Sequence, residues 1–335
     1  MKRLFLTYML LLALAVSCVQ GDKEAHCRKE AQLTQVAIDT MDLANPYILY
    51  DKPADLYYMT GDGGAVWRSK DMRVWEGPFD VLAPAPESWM GASPLVSSPE
   101  IHRYKERYYY MATFTRPDVV IDNAGDNAIY RTSCEVFVSD SIMGPYTHLT
   151  KGTPLLNSAH CAAHPTFCVD DLNVGYMIYN HKGEQNGNAT VQIIRLGRKL
   201  DVQIGEPYIM FRAKQNQWSK QINSEEPSPL MEAPFLFGTY SGELGILFTT
   251  YIGEEKCIGV AYSETQHLNG PWHIEPQPFL SGNVGGAMLF HDYDGKLLMA
   301  CQKDTIMDGK KKSLPRIMRV DSEFDKLKLN GHYKF

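Results

Sequence analysis

This 335-residue chain has no long basic run, the longest being Lys310-Lys311-Lys312; its 33 basic and 39 acidic residues are scattered along it for a net charge of −6. That argues against a nucleic-acid surface and a polybasic membrane patch, and favours a neutral partner. Helical signals are almost absent, because the long connections carry Pro, Gly, Asn and Trp without periodicity. Only one apolar run is long. It extends from Leu4 to Ala15 behind Lys2-Arg3, is too short to span a bilayer, and reads as a secretion signal.

The end of that run, Leu14-Ala15-Val16-Ser17-Cys18, resembles a bacterial lipoprotein processing box. Cys18 then becomes the lipidated N-terminus, residues 1–18 are the signal peptide, and residues 19–34 form a tether. This places the protein in the cell envelope as an outer-membrane lipoprotein, periplasmic or surface-facing, with simple secretion as the alternative. Six cysteines follow Cys18. An oxidising compartment permits disulfides there, but a domain of this size does not need them, and no pairing is readable. Residues 35–335 are expected to form one domain, a monomer.

One pattern recurs along that domain: a small residue, usually a proline, an apolar run, a turn, and an apolar-aromatic run. It starts at Asn45-Pro46-Tyr47, Ser98-Pro99-Glu100, His164-Pro165-Thr166, Glu232-Ala233-Pro234 and, without proline, Gly286-Ala287-Met288. A second element follows in three repeats, an alternating strand and then Gly-Pro, as in Val66-Trp67-Arg68-Ser69 to Gly77-Pro78, Val136 to Gly144-Pro145, and Val260 to Gly270-Pro271. Alternation marks strands with a face in each of two cores, and Gly-Pro marks a tight turn before an outer strand. Repeats of roughly 50 to 70 residues built this way predict an all-β, five-bladed β-propeller with four-stranded antiparallel blades. The long connections Ala83–Ser97, Pro117–Thr132 and Arg212–Pro229 are expected to wall a cleft at one end.

In a propeller the first strand of each blade lines the central channel, so Asn45, Ser98 or Glu100, His164, Glu232 and Gly286 should surround one pocket. A carboxylate, an imidazole and an amide together suit a hydroxyl-rich ligand, and the carboxylate can protonate a leaving oxygen. Glu232 is therefore the candidate acid, His164 a second catalytic candidate, and Asn45 and Glu100 substrate-binding candidates. Trp89, in a loop rich in Pro and Ser, is a candidate for stacking on a sugar face. For His160, Cys161, His164 and Cys168, strand alternation and the intervening proline work against convergence on one ion, so neither metal nor cofactor is expected.

These motifs resemble glycoside hydrolase family 43, five-bladed propellers that cleave arabinofuranosides, xylosides, galactosides and related linkages with inversion. The resemblance runs from about Asp39 to Gln302. It implies an Asp base in the first motif, an Asp that tunes the acid in the third, a Glu acid in the fourth and a channel histidine near a central ion or water in the fifth. Here those positions hold Asn45, His164, Glu232 and Gly286. Asn45 can hold a water but cannot take its proton. A protonated His164 would favour loss of the acid's proton, so only a neutral imidazole suits the tuning role.

Three readings follow. The chain is a hydrolase of plant- or host-type glycans with Glu232 as acid and a base supplied by His164, Asp42 or Asp62. Alternatively it is a glycan-binding lipoprotein that has lost turnover. The third reading is a lyase or other non-hydrolytic sugar enzyme using His164 as base.

Overall fold

The computed structural model describes residues 33–335 apart from 84, 125–126, 151, 157–161, 183–187 and 323, and no side chain within 123–127. The leader, Cys18, most of the tether, His160 and Cys161 lie outside the described residues.

Five antiparallel sheets follow one another along the chain. Blade 1 contains β2 (Tyr47–Asp51), β3 (Leu56–Thr60), β4 (Val66–Ser69) and β5 (Val74–Phe79), with β1 (Thr34–Ala37) paired outside β5. Blade 2 is β6 (Leu95–Tyr104), β7 (Arg107–Ala124), β8 (Asn127–Ser139) and β9 (Thr147–His148). Blade 3 is β10 (Ala162–Val169), β11 (Gly175–His181), β12 (Thr190–Leu196) and β13 (Gln203–Arg212). Blade 4 is β14 (Glu232–Gly238), β15 (Leu244–Ile252), β16 (Glu255–Ser263) and β17 (Trp272–Ile274). Blade 5 is β18 (Val284–His291), β19 (Leu297–Met307), β20 (Lys310–Asp321) and β21 (Lys328–His332). Among the described residues the only helix is one 3-10 turn, Ala213–Gln215.

Period-2 alternation turns neighbouring residues toward different blades. Tyr57 packs with Met288 and Leu298 of blade 5, whereas Tyr58 packs with Ile101 and Tyr110 of blade 2. Met177 and Ile178 divide in the same way between blades 2 and 4, and Ile246 and Leu247 between blades 3 and 5. Each of the five apolar clusters is thus an inter-blade core, and the cluster of blades 5 and 1 closes the ring with side chains instead of a shared strand.

Three details differ from the sequence expectation. Thr34 belongs to the sheet, because β1 pairs with β5 and gives blade 1 a fifth, edge strand. Gly77-Pro78 lies inside β5, whereas Gly144-Pro145 and Gly270-Pro271 do precede outer strands. The described residues of 117–132 belong to β7 and β8, which pair from Tyr108↔Ser139 to Ala124↔Asn127 with register shifts between Arg116 and Asp122.

Candidate active site

The inner strands share a local device. Asn45, Ser98, His164, Ala233 and Gly286 all have positive φ, from 46° to 58°, and in blades 2 to 5 the ladder register slips at this point. A side chain in this conformation costs about 1–2 kcal/mol, and such strain collects at functional sites. The fourth ring position is therefore Ala233. Glu232, read from the sequence as the ring member, stands one residue upstream and is absent from the lining of the central cavity.

That cavity, lined by Asn45, Ser98, Glu100, His164 and their neighbours, holds only about 30 Å³. This is room for a water, not a sugar. Neither Asp62 nor Glu232 lines the cavity.

Asp62 is built into place. Its N–H donates to Ala44 O at 2.9 Å, and Gly63 N–H donates to Val96 O at 2.9 Å, which ties the β3–β4 turn to blades 1 and 2. Gly61 permits that approach, since a Cβ there would stand 2.7 Å from Ala44 O and 2.5 Å from Leu43 Cγ. Asp62 Oδ1 accepts from Asn45 Nδ2 at 3.0 Å and from Ser98 N–H at 2.9 Å. No protein donor bonds Oδ2 among the described residues, and the residue is exposed.

On the neighbouring blades, Ser98 Oγ meets His164 Nδ1 at 2.5 Å, and His164 N–H donates to Thr113 Oγ1 at 2.7 Å. Burial pushes the His164 pKa down; Glu232 and Asp62 oppose this, while Lys182 and Lys256 assist it. The imidazole is neutral at neutral pH, the state that the tuning position requires.

Glu232 Oε2 accepts from the Tyr251 hydroxyl at 3.3 Å. Burial first, then the Glu232 charge and this hydrogen bond, raise the Tyr251 pKa and keep it a phenol donor. Behind them, Lys256 Nζ and Asp304 Oδ2 form a 2.7 Å pair with side chains 17% and 8% exposed. Burial works against the Asp304 charge, but bonds from Lys256, Ser313 and Gln302 hold its pKa low. Gln302 donates to Asp304 Oδ1 at 2.7 Å and accepts from Asn45 N–H at 2.8 Å, so one network reaches from Lys256 to Asn45.

The structure thus brings Asn45, Asp62, Ser98, His164 and Glu232 together. Asp42 does not bond Asn45; its Oδ1 accepts from the N–H of Ser313, whose hydroxyl donates to Asp304. Glu100 faces the channel, but its Oε2 holds His102 Nε2 at 2.6 Å, and its charge adds to burial in raising the Tyr47 pKa. Trp89 corrects the sequence expectation. It is 5% exposed, donates from Nε1 to the buried Glu135 at 2.8 Å and lies under the Arg131 guanidinium, so its ring belongs to the core of blades 1 and 2. Tyr251, Lys256, Gln302 and Asp304 were not anticipated; the only local signal was strand alternation, which places Tyr251 on the same face as Thr249, the partner of Glu232.

The sequence profile of glycosyl hydrolases family 43 matches residues 36–281, and the chain belongs to that family of glycoside hydrolases. Solved structures with the same fold include an endo-arabinase from Bacteroides thetaiotaomicron VPI-5482, at 23% identity and a TM-score of 0.70, covering 89% of this chain and 99% of that one. An endo-1,4-beta-xylanase from the same organism is 16% identical with a TM-score of 0.69, over 87% and 95% of the two chains. The Cellvibrio cellulosa alpha-L-arabinanase complexed with arabinohexaose is 14% identical with a TM-score of 0.62, over 87% and 96%. No curated protein sequence matches.

Position 286 cannot supply the ligand that the family's channel histidine gives to a central ion or water. At position 286 a Cβ would lie 2.6 Å from Asn45 Oδ1 and 3.0 Å from Asn45 Cα, so no ligating side chain can stand there while Asn45 keeps its place.

Proposed function

We propose that this protein hydrolyses glycans of the arabinofuranoside, xyloside or galactoside class, with Glu232 as general acid and Asp62 as general base. The observation that carries this reading is the doubly bonded Asp62 carboxylate, fixed by Asn45 at the position where the family's own base is an amide in this chain. Asn45 acts as a positioning residue: its Nδ2 holds Oδ1, and Oδ2 is left to take a proton from water attacking the anomeric carbon. Glu232 gives its proton to the leaving oxygen on the other side, and Tyr251 orients it. Neutral His164 fixes the seam between blades 2 and 3 through Ser98. Inversion requires about 6.5–9.5 Å between the two carboxyl groups, which leaves room for the water.

The test is sugar release from aryl glycosides and from arabinan, xylan and galactan, with Glu232→Gln and Asp62→Asn beside the native protein. Release that ignores both substitutions overturns the assignment. A glycan-binding reading is favoured by one observation, that Asn45 and His164 stand where the family has carboxylates. It requires calorimetric binding of those oligosaccharides with no turnover of any substrate. The cell-envelope reading rests on Cys18, and metabolic labelling with a fatty-acid analogue, lost in Cys18→Ala, tests it.

A further inference from the structure

The two faces of β19 carry different chemistry. Gln302 and Asp304 serve the catalytic cluster, whereas Cys301, Lys303, Thr305 and Met307, on the opposite face, line a separate cavity of about 590 Å³. None of that cavity's lining is shared with the central ring. Its volume falls within the range of about 300–1,000 Å³ typical of small-ligand sites.

Lys303, Arg316 and His332 face this space against a single carboxylate, Asp39. In a chain of net charge −6 this local excess is opposite to the average. Lys303 Nζ donates to Gly282 O and Arg316 Nη1 to Pro315 O at 2.9 Å, and neither side chain is in an ion pair among the described residues. The remaining guanidinium donors form the planar fork that matches a carboxylate. Ser281 and Thr305 add hydroxyls, and Leu314 and Met318 an apolar floor of the kind that packs against the C–H face of a sugar ring.

We propose that this cavity binds a carboxylate-bearing sugar, a uronate unit of an acidic saccharide, with Arg316 and Lys303 on the carboxylate. The inference does not depend on which residues act as acid and base.

Calorimetric titration of the full chain with a tri-uronate, a neutral trisaccharide and inorganic phosphate tests it. Saturable binding of the tri-uronate alone is expected, weakening on the order of tenfold in each of Lys303→Gln and Arg316→Gln. Glu232→Gln should leave it unchanged, and turnover of a neutral aryl glycoside should be unaffected by the two cavity variants. Thermal melting establishes that the variants are folded, and Arg316→Lys should bind between native and Arg316→Gln. Equal binding of the neutral trisaccharide, phosphate binding without tri-uronate binding, no binding at all, or tri-uronate binding that Glu232→Gln abolishes and the cavity variants spare would each overturn the proposal. Loss of hydrolysis in Asp62→Asn has no bearing on it, so the two readings fail separately.

Discussion

Replacing Asp62 by Asn separates chemistry from scaffold more cleanly than any other change in this site. Both hydrogen bonds from Asn45 Nδ2 and Ser98 N–H fall on Oδ1, at 3.0 and 2.9 Å, and an amide oxygen accepts both. Folding stability should therefore change by less than about 1 kcal/mol. What is lost is the basic Oδ2, replaced by an NH₂ group that cannot take a proton. General-base assistance is worth about 10²–10⁴ in rate, or roughly 3–5 kcal/mol of barrier, and kcat should fall by that factor with a smaller change in KM. Initial rates on the best aryl glycoside and a pH–rate profile provide the measurement. Asn45→Asp is the companion: a second carboxylate about 3 Å from Asp62 would share a proton with it, so activity should fall and the acid limb should move to higher pH. If Asp62→Asn keeps kcat within about threefold, or Asn45→Asp raises it, Asp62 is not the base and the chemistry must be sought at position 45.

Four other outcomes follow. Gly286→Ala places a Cβ 2.6 Å from Asn45 Oδ1 at a φ of +58°; chemical denaturation should show a loss of at least about 1–2 kcal/mol, and kcat should drop because Asn45 is displaced. His164 has a folded pKa below its ordinary value, so its contribution to stability is complete above about pH 6.5 and is lost as pH falls toward the folded pKa; melting between pH 7 and 5 should decline less in His164→Asn than in the native protein. Lys256→Met leaves Asp304 with the more distant Lys311 at 3.8 Å and its bonds from Gln302 and Ser313, and should cost about 1.5–3 kcal/mol by chemical denaturation, whereas adding Asp304→Leu should recover part of it. Trp89→Phe removes the Nε1 bond to Glu135 and should cost about 1–3 kcal/mol of stability while leaving KM for oligosaccharides unchanged.

What was legible in the sequence was local. The five strand starts, the alternation that sends Tyr57 and Tyr58 to different cores, and the prolines after the ring residues are all set within a few residues. What was not legible depends on pairings across the chain. Gln302 reaches Asn45 from 257 positions away and Asp304 reaches Lys256 from 48, and neither approach leaves a periodic trace. Trp89 misled because composition marked its segment as an exposed loop, whereas the Glu135 carboxylate that takes its N–H, 46 residues on, draws it into the core. The proline aligns Ala233 with Asn45, Ser98 and His164, and the backbone does turn left-handed there; taking the start of Glu232-Ala233-Pro234 as the ring position set the reading one residue upstream.

That one-residue offset bears on the chemistry. Asn45 and His164 occupy the strained ring positions; the first is held by Asp62 of its own blade and Gln302 of blade 5, the second by Ser98 and Thr113 of blade 2. Glu232 is outside that ring, bonded to Tyr251 of its own blade. An amide at 45 and an imidazole at 164 therefore alter the ring without altering the place of Glu232, the proposed acid. The turn at Gly61-Asp62 then brings a carboxylate to Asn45, secured by two backbone bonds and two bonds to its own side chain. A turn serving only to join β3 to β4 has no need of four such bonds. The two from Asn45 Nδ2 and Ser98 N–H end on Oδ1 and leave Oδ2 without a protein donor among the described residues, so under the proposed assignment the amide at 45 is the support of a relocated base.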